Sequence, residues 1–77
     1  MTPSTEYNDT KAGVRKFFKE NTTAIFEPDI IIADPHMDNI WLAIDTNLER
    51  AFIAYLDEKD FEEVSFDKAM KQQKYNA

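Results

Sequence analysis

The period of the apolar positions changes along the chain, and each change marks an element. Over residues 9–21, Val14, Phe17 and Phe18 fall at i, i+3 and i+4, the spacing of one helix face. Lys11, Arg15 and Lys19, at i, i+4 and i+8, line another face of the same helix. Asp9 or Thr10 offers an N-cap oxygen to its first free amides, and Asn21-Thr22-Thr23 offers a stop. Gly13, the only glycine, costs such a helix about 1 kcal/mol relative to Ala and points to close packing near its start.

Residues 23–26 and 29–33 are rich in β-branched and aromatic side chains. Pro28 has no amide for a ladder, so they predict one bent edge strand or two short ones. Ile30, Ile31 and Ile32 in a row suit a strand covered on both faces. A loop follows at 34–39, where Pro35 pushes Asp34 away from helical backbone angles. Residues 40–45 alternate, with Ile40, Leu42 and Ile44 on one side and Trp41, Ala43 and Asp45 on the other.

Residues 46–57 fit two periods. As a strand after a Thr46–Glu49 hairpin turn, Phe52, Ala54 and Leu56 alternate with Ile53, Tyr55 and Asp57. As a helix, Leu48, Ala51, Phe52, Tyr55 and Leu56 share a face, and Thr46 with Glu49 matches a capping box. The strand is preferred, because Phe, Ile and Tyr suit a pleated surface and the preceding strand needs a partner. A turn at Lys59-Asp60, a strand over 61–64 and a helix over 66–74 capped by Ser65 complete the pattern. Asp67 in the first turn of that helix, and Lys71 and Lys74 in its last, complement its dipole.

The expected fold is α+β in a single domain over 9–77, after a flexible lead-in at 1–8. An N-terminal helix precedes an antiparallel sheet of three to five short strands, and a C-terminal helix packs on one sheet face. Both helices are expected on the same face, where Val14, Phe17, Phe18, Phe66, Ala69 and Met70 meet Ile31, Leu42, Ile44, Phe52 and Ala54.

Charge changes the picture more than composition does. Of 77 residues, 43% are apolar, enough for a core, and the net charge is −6. Residues 1–26 hold four basic and three acidic side chains, whereas residues 27–63 hold eleven acids against Arg50 and Lys59. An acidic band of this kind sets encounter rates and partner choice; it repels polyanions and favours basic protein surfaces, unless it serves only as a solvated face.

Chemistry is sparse. There is no cysteine for disulfides or thiol catalysis, and one glycine cannot build a phosphate-cradling loop. His36 between Asp34 and Asp38 is the one metal-like spacing, set against an ordinary turn whose aspartates bind nearby amides. Asp45, ending an apolar strand, is the carboxylate best placed for a raised pKa, but a strand-end aspartate commonly caps a turn. Trp41, Phe52 and Tyr55 lack the basic neighbours of a nucleic-acid stacking platform and read as core, with Trp41 or Tyr55 left at an interface. The Lys11, Arg15, Lys19 stripe is the only feature favouring direct nucleic-acid contact. No apolar run approaches the ~18–20 residues of a membrane span, and the start lacks a signal-peptide pattern, so a cytoplasmic location is expected.

The reading is a non-enzymatic interaction protein without cofactor or metal. Carboxylates two apart on a strand lie about 6.6 Å from one another and can imitate a row of phosphates. Asp34, Asp38, Asp45, Glu49, Asp57, Glu58, Asp60, Glu62 and Glu63, flanked by Trp41 and Tyr55, are the expected partner-binding residues. The partner is a basic, nucleic-acid-handling protein surface. In size, charge and composition the chain resembles the inhibitors and decoys that phages carry against host nucleases, polymerases or defence complexes; no motif assigns it to a named family. Two other readings are a homo-oligomer, such as a homodimer, paired through an edge strand and exposed aromatics, and a metal-binding or enzyme subunit using Asp34, His36 and Asp38.

Overall fold

The structure is a computed structural model that describes residues 6–23 and 25–76, with side chains up to Gln73. Helix α1 (Lys11–Asn21) is followed by strands β1 (Ile30–Ala33), β2 (Ile40–Asp45), β3 (Arg50–Tyr55) and β4 (Asp60–Val64), and by helix α2 (Phe66–Asn76). The strands form one antiparallel meander in the order β1-β2-β3-β4. The α+β class, the order of elements and the strand at 50–55 agree with the sequence pattern. Residues 1–5 of the expected lead-in, Ala24 within the expected 23–26 strand, and the Lys74 side chain lie outside the described residues.

Thr10 is the α1 cap. Its backbone is extended and its hydroxyl oxygen accepts from the Gly13 amide at 3.0 Å. Gly13, Val14, Phe17 and Phe18 form the buried stripe. A Cβ on Gly13 would sit 1.9 Å from the Asn8 carbonyl oxygen, so the glycine admits the chain that leads into the helix. That approach carries Tyr7 onto the helix. Its ring meets Phe17 edge-on at 5.3 Å, and its hydroxyl donates to Glu20 at 2.9 Å.

The helices occupy opposite faces of the sheet, not the same one. Residues paired across antiparallel strands share a face. The pairs Ile31–Ala43, Ala43–Phe52, Trp41–Ala54 and Ala54–Phe61 therefore define one face, which packs on Val14, Phe17 and Phe18 of α1. Ile30–Ile44, Leu42–Ile53 and Ala51–Val64 define the other, which packs on Phe66, Ala69 and Met70 of α2. Leu42 and Ile44 cannot share a face with Ile31, Phe52 and Ala54, because the pleat turns alternate residues to opposite sides.

The α1 side is held by aromatic rings. Phe18 meets Phe26 at 5.0 Å, Phe26 meets Phe52 at 4.9 Å, and Phe52 meets Phe61 at 5.7 Å, all edge to face. Such pairs contribute about 0.5–1.5 kcal/mol each beyond area burial.

Among the described residues, 25–28 form no strand, in contrast to the expectation for 23–26. Their polar backbone groups find side chains instead of a ladder. The Glu27 amide donates to Asp45 Oδ2 at 3.0 Å, and the Pro28 carbonyl accepts from Arg15 Nη1 at 3.1 Å. The hairpin loops end on Asn39 (φ 64°), Glu49 (φ 54°) and Lys59 (φ 51°), left-handed positions filled without glycine.

Candidate functional site

Meander topology brings the 34–39 loop and the 56–59 turn to the same end of the sheet. They are tied directly. The Leu56 amide donates to the Asn39 carbonyl at 2.9 Å, and Asn39 Nδ2 donates to Asp57 Oδ2 at 3.2 Å. The segment before α1 joins them, since Asp9 Oδ1 accepts from the Asn39 amide at 3.3 Å and from Trp41 Nε1 at 2.6 Å. Asp34, Asp38, Asp57 and Glu58 thus share one end, with Asp60 and Glu62 where β4 leaves it. Glu6 and Lys59 line a cleft of about 190 Å³ there, with Tyr7, Leu56 and Asp57.

Three of these carboxylates gather around Tyr55. Tyr55 and Asp60 are cross-strand partners, and Glu62 lies two residues further along the same face of β4. The Tyr55 hydroxyl donates to Glu62 Oε1. Its pKa is raised, first by that hydrogen bond, then by desolvation and by the fields of Glu62, Glu58 and Asp60. Three exposed carboxylates therefore act on one half-buried phenol.

Other candidates lie elsewhere. Asp45 is 3% exposed and leaves the proposed surface. Its Oδ1 accepts from the Asn47 and Leu48 amides at 3.0 and 3.1 Å, while Oδ2 holds Glu27. Trp41 is a core residue at 8% exposure, because its indole covers the α1 face and its N–H is bound by Asp9. Glu49 sits in the turn at the opposite end of the sheet. Glu63 faces α1 rather than the α2 side and is paired with Arg50, at 2.8 Å to Nε and 3.0 Å to Nη2. Arg50 in turn lies over the Phe52 ring at 5.2 Å. The ion pair lowers the Glu63 pKa and raises that of Arg50.

Asp34 closes its own loop, accepting from the His36 and Met37 amides at 2.8 and 3.0 Å. Among the described residues, no group of three His, Asp or Glu side chains is arranged to hold a metal ion. No buried side-chain nitrogen or oxygen lacks a hydrogen-bond partner among them. No helix there is long and apolar enough to cross a membrane. A cleft of about 480 Å³ lies between α1 and the 25–28 segment and is lined by Arg15, Phe18, Lys19 and Phe26. Arg15 is partly committed there to the Pro28 carbonyl.

Sequence reasoning placed Asp9 only as a helix cap and gave Asn39 no role. Both are organisers of the acidic end, through bonds spanning 30 and 32 residues that no local spacing signals. The fold is a four-stranded antiparallel meander with a helix on either face. No protein-family model matches the chain, and neither a curated protein nor a solved structure does.

Proposed function

We propose that this protein is a non-enzymatic interaction module whose acidic sheet end docks on a basic, nucleic-acid-handling protein surface as an inhibitor or decoy. The observation that carries this reading is the convergence of Glu58, Asp60 and Glu62 on Tyr55, next to the loop bearing Asp34, Asp38 and Asp57. The one ion pair among the described residues engages Glu63 and none of that group. The clamp of Asn39 on Asp57 holds the two loops together, so the negative charges reach a partner already spaced.

The test is capture of basic proteins from a lysate of the source cell by immobilised protein, at low and high salt, with a duplex DNA fragment as competitor. The expected result is capture that falls steeply with salt and is released by the DNA. Neutralising Asp38, Glu58, Asp60 and Glu62 together should abolish it, whereas Glu49→Gln at the opposite end should not. Equal capture by the quadruple variant would overturn the reading.

A further inference from the structure

The two sheet edges are protected unequally. The outer edge, β4, bears Asp60, Glu62 and Glu63, charges that discourage another strand from adding. The opposite edge, β1, reads Ile-Ile-Ile-Ala and bears no charge. Amide direction alternates along an antiparallel strand. Since the Asp34 amide points inward to the Ile40 carbonyl at 2.9 Å, the Ala33 and Ile31 amides point away from β2. Among the described residues, no loop or helix hydrogen-bonds that outer edge.

We propose that β1 pairs antiparallel with β1 of a second copy, about a two-fold axis at Ile31, to make one continuous sheet. The occupant is a second copy because the strand is its own complement in this register. Ile31 faces Ile31 of the other chain as a doubly hydrogen-bonded pair. Ile30 faces Ile32 twice, on the α2 side, where each is only half-buried in the single chain. Cross-strand apolar pairs of this kind stabilise a sheet modestly. The charges that flank the strand do not collide. Asp29 falls opposite Ala33, and Asp34 opposite Pro28, so no carboxylate stands directly across from another. The Ala33 amide is left to donate to the Asp29 carbonyl across the axis, while the Asp29 amide stays bound inward to the Ile44 carbonyl at 3.0 Å, so each end of the pairing closes with one hydrogen bond.

Association by this edge brings together two chains of net charge −6, so salt strengthens it by screening their repulsion. Docking of the acidic end weakens with salt, so the two proposals fail independently. The experiment is sedimentation velocity on the full chain over a wide concentration range, at low salt and at roughly 0.5 M NaCl. The expected result is a reversible shift from the mass of one chain toward two, at lower concentration in high salt. Ala33→Pro removes the donating amide, and Ala33→Asp sets a carboxylate against Asp29 of the other copy. Each should raise the dissociation constant at least about tenfold, equivalent to about 1.4 kcal/mol. Circular dichroism melting confirms that the Asp variant keeps the fold even if the Pro variant does not. A single-chain mass under every condition, or a dimer that the folded Ala33→Asp variant forms as readily, would overturn the proposal.

Discussion

Asp9 holds Trp41. The carboxylate that precedes α1 accepts from the indole nitrogen on β2 at 2.6 Å, across 32 residues of sequence. This bond fixes the chain before α1 to the sheet end carrying the 34–39 loop, because the same oxygen also takes the Asn39 amide. Asp9→Ala leaves the N–H of a nearly buried indole unpaired, which costs about 1–3 kcal/mol. The expected outcome is a lower melting temperature and altered fluorescence of the single tryptophan, with Asp9→Asn recovering part of both because its amide oxygen still accepts.

Gly13→Ala tests whether packing or helix propensity governs the start of α1. Propensity alone predicts a gain of about 1 kcal/mol. The added Cβ would lie 1.9 Å from the Asn8 carbonyl, and main chain cannot yield as a side chain does. Net destabilisation of roughly 1–3 kcal/mol is expected in urea unfolding. A more stable variant would show that the Tyr7–Asn8 segment is not packed as described.

Asp45 serves three amides from beneath the sheet end, those of Glu27, Asn47 and Leu48. Asp45→Ala strands them and should destabilise by at least about 2 kcal/mol. It should also release the 25–28 segment, seen as faster hydrogen exchange there than in β3. Uniform exchange in the variant would deny that Asp45 organises both regions.

The Glu49 turn makes the opposite prediction. Its left-handed backbone is unfavourable for a residue with a Cβ, and Glu49→Gly relieves that strain at the cost of chain entropy. A gain of up to about 1 kcal/mol is expected in thermal melting. A clear loss would place the Glu49 side chain in a stabilising contact.

Stability should respond to pH at both extremes. Asp29 and Glu63 have lowered pKa values, Asp29 through the Thr46 hydroxyl and then its amide, Glu63 through Arg50. A lowered folded pKa adds stability above the unfolded value, so it is lost as pH falls from about 4. Tyr55 and Tyr7 have raised pKa values, Tyr55 chiefly through its bond to Glu62 and Tyr7 chiefly through desolvation. A raised folded pKa adds stability below the unfolded value, about 10, and loses it as pH rises through the folded value. Tyrosinate absorbance should therefore rise late in the folded protein, and Tyr55→Phe should remove one late step. A titration that Tyr55→Phe leaves unchanged would sink the assignment to Tyr55.

Periodicity along the chain determined the elements. The Val14, Phe17, Phe18 stripe, the alternation over 40–45 and the residues of α2 were legible because helix and strand repeats depend on neighbours a few positions apart. The strand at 50–55 was legible only as a preference, since its residues also fit a helical face; pairing with β2 and β4 decided it. Only the tertiary structure decided which face each helix covers, and it decided it through the parity of strand registers, which one residue of shift would reverse. The acidic residues divide for the same reason. Glu62 and Glu63 are adjacent in sequence, yet the pleat sends one to the Tyr55 side and the other to Arg50. Composition set the quantity of negative charge, but its direction in space follows from hydrogen bonds such as Asp9 to Trp41, made between positions far apart in the chain.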